Sequence, residues 1–184
     1  MQDIKILGFG GSFRRGSLNW ALLENARNLM PRNAYLELFD ISGIPLFNQD
    51  HEQSLPEPVQ SFKQAVRNSD GILIATPEYN FSIPGYLKNA IDYASRPAGD
   101  NPFAGKPVAI ISASGSMLGG SRVQYHLRQV LGYLDMREIH RPEVFVNFAP
   151  GKFDTEMKLT DQVTIDLISQ LLQKLVEEAF RLKQ

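Results

Sequence analysis

The stretch of this chain best equipped for chemistry runs from Gly8 to Asn19, Gly-Phe-Gly-Gly-Ser-Phe-Arg-Arg-Gly-Ser-Leu-Asn, and begins as the apolar run of residues 4 to 9 ends. Glycines let backbone N–H groups approach a ligand closely, and a helix starting near Ser17 points the positive end of its dipole at the same spot. Ser12, Arg14, Arg15, Ser17 and Asn19 add side-chain donors, and no Asp or Glu occurs between Ile4 and Leu23. The run reads as a phosphate cradle. Two better-known phosphate motifs fail against it. The dinucleotide fingerprint G-x-G-x-x-G, begun at Gly8 and Gly10, needs a third glycine where Phe13 stands. The P-loop pattern finds Gly11 and Gly16 at the right spacing, but Ser17 replaces its lysine and Leu18 its hydroxyl. What remains suits a terminal monophosphate, whose dianionic end needs more donors than a bridging pyrophosphate. The same residues would also serve as a plain glycine turn with solvated arginines.

Two further loops carry suggestive compositions. Thr76 to Gly85 holds two prolines that stiffen it and Tyr79, which could lie against a flat ring. Ser112 to Gly120 offers hydroxyls and a close-approaching Gly119-Gly120 backbone. Each could equally be an ordinary turn or linker. His51, His126 and His140 show no metal-ligand spacing, which leaves them packing or surface roles and leaves no metal site to expect. Asp40, where a dinucleotide fold would place a ribose-binding acid, reads as a loop cap because the third fingerprint glycine is missing. Trp20, early in the first helix, could reach the core, an interface or a ligand held by these loops, and suits the core or an interface better.

The elements that must position these loops follow from hydrophobic periodicity. Short apolar strands are expected at 4–9, 34–40, 71–76 and 107–112, with a fifth, poorly bounded, somewhere in 136–148. Between them fall helices at about 18–30, 59–68, 83–94 and 123–134, with a last one at about 161–182; Pro84 falls in the first turn of the third. Continuous apolar strands joined by helices imply an α/β, doubly wound parallel sheet buried on both faces. Ligands then gather at the carboxyl ends of the strands, where the three loops should converge on one crevice.

Composition bounds the rest. At 184 residues, 1–184 fits a single domain with a sizeable core. A net charge of −1 argues against nucleic acid or an anionic membrane as main partner. The absence of cysteine excludes disulfides and thiolate chemistry, so a redox role would need a borrowed cofactor. No stretch approaches a membrane span or a signal peptide, and a cytoplasmic protein is expected.

Taken together, the motifs resemble the NAD(P)H-dependent FMN reductases of the flavodoxin-like superfamily, in the branch of bacterial quinone and chromate reductases and azoreductases. The marks are Gly11-Ser12-x-Arg14-x-x-Ser17-x-Asn19; Pro77-Glu78-Tyr79-Asn80 running on through Ile83-Pro84-Gly85 to Leu87-Lys88-Asn89-Ala90-Ile91-Asp92; and Gly119-Gly120 leading to Tyr125-His126-Leu127-Arg128-Gln129. The resemblance implies a flavodoxin-like three-layer sandwich with a five-stranded parallel sheet in the order 2-1-3-4-5. It implies FMN as cofactor and NADPH or NADH as co-substrate, with the chemistry carried by the flavin and no obligatory acid–base residue. By it, Ser12, Phe13, Arg14, Ser17, Leu18 and Asn19 surround the FMN phosphate. Pro77, Glu78, Tyr79 and Asn80 hold the ring, and Ser112, Ala113, Ser114 and Gly115 close the ribityl or ring side. It also implies a homodimer or homotetramer, with Tyr125, Arg128 and Glu143 placed for contacts between subunits. Residues 145 to 159 match family motifs least.

The expected activity is ping-pong hydride transfer from NAD(P)H to FMN, then two-electron reduction of small-molecule acceptors such as quinones, azo compounds, chromate or free flavin. The rival readings are a flavodoxin-like electron carrier, which this nearly neutral composition does not favour, and a nucleotide-binding dehydrogenase without flavin. Whether Arg15, Lys88 or another base meets a 2′-phosphate decides between NADPH and NADH.

Overall fold

In the computed structural model, which describes residues 3 to 184, strands and helices alternate along the chain. They are β1 (Ile4–Gly10), α1 (Leu18–Asn28), β2 (Ala34–Leu38), α2 (Glu57–Arg67), β3 (Gly71–Ala75), α3 (Gly85–Ala94), β4 (Pro107–Ala113), α4 (Ser121–Tyr133), β5 (Arg137–Glu138), β6 (Val144–Val146) and α5 (Gln162–Leu182). The strands pair in parallel in the order β2-β1-β3-β4-β5, and β6 also pairs with β4.

The sheet therefore has six strands, not the five expected. β5 pairs with Pro107 and Val108 at the start of β4, and β6 with Ile111 to Ala113 at its end. One lane of the sheet is broken in two. Pro142, which has no N–H to give a ladder, lies in the gap between them. A two-residue and a three-residue strand are too short to show a hydrophobic period, which is why the sequence bounded this region poorly.

Alternation along the inner strands sends successive side chains to opposite faces. Ile6, Leu73 and Ile111 meet Leu22, Leu23 and Ala26 of α1 and Leu171 and Leu172 of α5. Leu7, Ile72 and Ile110 meet Phe62 of α2, Leu87 of α3 and Leu127 of α4. Each such fully buried aliphatic side chain contributes about 1.5–3 kcal/mol relative to exposure, and β3 and β4 are buried along their whole length. Their unbroken apolar runs are legible for that reason.

Helix boundaries shift by a few residues from expectation. α3 starts after Pro84, which sits at its N-cap and not inside its first turn. α5 begins on Asp161, whose side chain accepts from the Thr164 N–H. No helix among the described residues is long and apolar enough to cross a membrane.

Candidate functional site

β1, β3 and β4 are neighbours, so the loops leaving their carboxyl ends are neighbours too. Loop 1 (residues 11–17) is anchored by the Gly11 N–H, which donates to the Ala75 carbonyl at 3.0 Å. A Cβ at Gly11 would stand 3.1 Å from Pro84 Cγ and 3.2 Å from Leu87 Cβ, so a side chain there would crowd the start of α3, against which this loop lies. Ser17 caps α1, its hydroxyl accepting from the Trp20 N–H at 3.3 Å. Among the described residues, no backbone carbonyl takes the N–H groups of residues 12 to 16, nor those of Leu18 and Asn19 in the first turn of α1. Those orphan donors sit beside the buried side chains of Ser12 and Ser17, 7% and 5% exposed, at the positive end of a helix. Arg14 curls so that Nη2 donates to the Gly16 carbonyl at 3.2 Å, and Arg14 and Arg15 are both exposed. Phe13 stacks at a tilt on Tyr86, ring centroids 4.5 Å apart.

Several side chains expected to meet a ligand instead tie the loops together. The Asn19 amide is 4% exposed and is used at both ends: its Nδ2 donates to the Ala113 carbonyl at 3.0 Å and its Oδ1 accepts from the Ala113 N–H at 2.9 Å. This joins loop 1 to the end of β4. Ser112 is fully buried, its Oγ donating to the Gly119 carbonyl at 2.7 Å and accepting from Gln124 Nε2 at 2.8 Å. Gln124 Nε2 also donates to the Val144 carbonyl, while its buried Oε1 meets no partner among the described residues. Glu78 reaches from loop 2 (residues 76–84) to α4, where Oε2 accepts from the Val123 N–H at 3.1 Å and Oε1 pairs with Arg122 at 3.3 Å. Asn19 and Glu78 keep their backbone N–H groups free for a ligand, whereas Ser112 and Ala113 are buried and the Ala113 N–H and carbonyl are both taken by Asn19.

Loop 2 ends in a tight turn. Tyr79 and Ser82 exchange backbone hydrogen bonds at 3.1 and 2.9 Å around Asn80 and Phe81, both at positive φ (51° and 63°). Two positive φ values in succession match a type I′ turn, which Asn tolerates and Phe rarely adopts. Phe81 is 67% exposed, with the Arg122 guanidinium 4.0 Å above its ring. Ser82 Oγ lies 2.9 Å from His126 Nδ1. Pro77 is half-buried and Tyr79 and Asn80 are exposed.

Loop 3 (residues 114–120) zips onto the segment after β6: Ser114 N–H donates to Val146, Ala149 N–H to Ser114 and Phe148 N–H to Ser116. Ser114 Oγ takes the Ser116 N–H at 3.0 Å, and Gly115 is exposed. At Gly119 (φ 59°) a Cβ would stand 2.7 Å from the Phe145 carbonyl carbon, and at Gly120 (φ 87°) 2.8 Å from Ser112 Cβ. The glycine pair is therefore a close-packing requirement as well as a turn.

A cavity of about 870 Å³ opens on the α1 flank of loop 1, walled by residues 12–17, Trp20 and Asn28 of α1, Asp40 and residues 156–159. Neither 77–80 nor 112–115 lines it, so this cavity lies to one side of loops 2 and 3. Asp40 caps its loop through the Ser42 N–H at 2.8 Å, and Trp20 packs on the core while walling the cavity. Tyr125 donates to Glu143 at 2.9 Å, which pushes the phenol pKa up, and Arg128 pairs with Glu138 at 2.8 Å. These polar groups satisfy one another within the chain. Tyr86, Phe81, Arg122 and Phe148 shape the loops without having been singled out by the sequence, because their positions depend on packing and on positive φ, which leave no composition signal.

Residues 4–151 match the model of the NADPH-dependent FMN reductase family. The chain belongs to that family. It is 49% identical over 174 residues to an NAD(P)H-dependent FMN reductase of Pseudomonas aeruginosa, covering 94% of each chain. It is 39% identical to a 2-hydroxy-1,4-benzoquinone reductase of a Burkholderia species, covering 93% of each. The solved structure of FerB, a flavoenzyme NAD(P)H:(acceptor) oxidoreductase from Paracoccus denitrificans, superposes with a TM-score of 0.89 at 30% identity, covering 97% of this chain and 98% of that one. The reductase family is thus an oxidoreductase family of flavodoxin-like fold that works with FMN and a nicotinamide dinucleotide, and the matched residues take in all three loops.

Proposed function

We propose that residues 1–184 form one FMN-binding domain that oxidises NADPH or NADH and reduces quinones. Azo compounds, chromate and free flavin are further acceptors on this reading, and the cycle is ping-pong. The observation that carries it is the set of orphan N–H donors in loop 1, beside buried Ser12 and Ser17 at the start of α1. That donor set fits a terminal phosphate of FMN: it is positive, close-approaching and free of nearby acid in sequence. Ser12, Phe13, Arg14, Ser17, Leu18 and Asn19 would hold the phosphate, Asn19 through its backbone. Pro77 to Asn80 would meet the ring, and Ser112 to Gly115 would border the ribityl chain. When bound, FMN supplies the two-electron chemistry, taking a hydride from the dinucleotide and passing electrons to the acceptor.

The chain's own contribution is placement. Asn19, Ser112 and Glu78 lock the loops to each other and to α4, so their backbone donors need no reorganisation when charge develops on a bound ring. The unbonded N–H groups of Glu78 and Asn80 are suited to that task. Lys88 is already paired with Asp92 at 2.7 Å, whereas Arg15 lines the cavity beside loop 1, which makes Arg15 the better candidate for a 2′-phosphate. The exposed Phe81, Tyr86, Met117 and Phe148 around the loops suit a homodimer or homotetramer, tested by sedimentation velocity. A cytoplasmic location accords with the supply of NAD(P)H.

The visible spectrum tests the reading. The purified protein supplied with FMN should show flavin bands that bleach anaerobically on adding NADPH and return on adding a quinone. No bands after FMN is supplied would overturn it. Bands that NADPH bleaches only slowly in stopped flow would point to an electron carrier.

A further inference from the structure

Gly120, at the N-cap of α4, has no side chain to cap the helix, and close packing against Ser112 forbids one. The Glu78 carboxylate, 45 residues upstream in the neighbouring loop, takes over that role by accepting from the Val123 N–H. Two more contacts run between the same faces: Arg122 over the Phe81 ring, and His126 to Ser82 Oγ. Three groups from the first turns of α4 therefore grip one short segment, Glu78 to Ser82, whose Phe81 adopts a positive-φ backbone conformation uncommon for its type. Among the described residues, the N–H groups of Glu78, Asn80 and Phe81 in this segment meet no acceptor.

Resting on the FMN reading above, we propose that Glu78 is a positioning residue: its carboxylate acts on the start of α4 and so holds the free backbone donors of loop 2 in place for the flavin ring. The side chain does not serve the ligand directly. Donors held near the ring edge that gains electron density stabilise the reduced flavin more than the oxidised one. Loosening the turn should therefore lower the flavin midpoint potential and slow its reduction, and should weaken FMN binding through lost preorganisation.

Glu78→Gln and Glu78→Ala separate the possibilities. Glutamine keeps an oxygen that can accept from the Val123 N–H and loses only the half-exposed pairing with Arg122, which is worth little. Alanine loses both. Each holoprotein is assayed for FMN affinity, flavin midpoint potential by spectroelectrochemistry, and rate of bleaching by NADPH in stopped flow. Glu78→Ala should weaken FMN binding about tenfold or more, lower the potential and slow bleaching with little change in KM for NADPH, and Glu78→Gln should recover most of each loss. A Glu78→Ala protein that melts earlier but keeps wild-type potential and bleaching rate would overturn the proposal, leaving Glu78 a helix cap alone. A Glu78→Gln protein as impaired as Glu78→Ala would also overturn it, because the charge would then be acting on the flavin. If Glu78→Ala does not fold, Glu78→Asp, which keeps the charge but draws the carboxylate back from the Val123 N–H, must lower the potential in the same direction, and an unchanged potential overturns the proposal. Wild-type protein that takes up no flavin would instead sink the underlying FMN reading.

Discussion

Asn19 separates two ways of building this site. If its side chain binds the cofactor phosphate, Asn19→Ala should cost affinity and little stability. The structure predicts the reverse, because both ends of the amide are spent on Ala113, at 3.0 and 2.9 Å, in a buried setting. Truncation leaves the Ala113 N–H and carbonyl without partners, at about 1–3 kcal/mol for each buried group. Alanine's better helix propensity in the first turn of α1 returns about 0.5 kcal/mol. The net loss is about 1.5–5.5 kcal/mol, which lowers the melting temperature by about 3–20 °C for a domain of this size. Apo melting is followed by circular dichroism. FMN affinity is followed by quenching of Trp20, the only tryptophan in the chain, which walls the cavity beside loop 1. Affinity should fall by less than about tenfold, since loop 1 keeps its backbone donors and loses only its tie to β4. Asn19→Asp should melt early as well, because a carboxylate can accept from the Ala113 N–H but faces the Ala113 carbonyl with no proton to donate. It should bind FMN worse than Asn19→Ala, having placed an anion beside the phosphate cradle. An unchanged melting temperature together with a loss of FMN affinity of roughly a hundredfold would refute this account and restore Asn19 as a direct ligand.

Other consequences are as concrete. Gly119→Ala should cost about 2–5 kcal/mol in urea unfolding, combining left-handed strain with a clash against the Phe145 backbone; Gly105→Ala, at φ 74° with open space around it, should show the strain alone, about 1–2 kcal/mol. The Asp161 carboxyl is held below the ordinary aspartate range, chiefly by its hydrogen bond from Thr164 and further by Lys152. A depressed carboxylate stabilises the fold above its unfolded pKa and loses that contribution as pH falls through its folded pKa. Asp161→Asn, which keeps the cap but not the charge, should therefore melt below wild type at neutral pH, by about 0.5–1 kcal/mol, and the gap should close in acid; a gap that persists there would be inconsistent with this origin. Arg15→Ala should raise KM for NADPH several-fold while sparing NADH, and an equal rise for both would place the 2′-phosphate elsewhere.

The sequence by itself determined the alternation of strands and helices and singled out three loops that leave the carboxyl ends of neighbouring strands. β1, β3 and β4 are buried on both faces, so burial wrote their apolar runs directly into the residue order, and the donor-rich, acid-free composition of Gly8 to Asn19 is what makes an anion site the expectation there. Residue type tells what a side chain can donate or accept, but only the tertiary structure chose with whom. Asn19 found Ala113 across 94 residues and Glu78 found Val123 across 45, and the split of the outer lane into β5 and β6 was settled by pairing with opposite ends of β4. Buried polar groups must be satisfied by whatever the fold brings within reach. For that reason the side chains of Asn19, Ser112 and Glu78, read from the sequence as cofactor contacts, also tie the loops to β4 and α4.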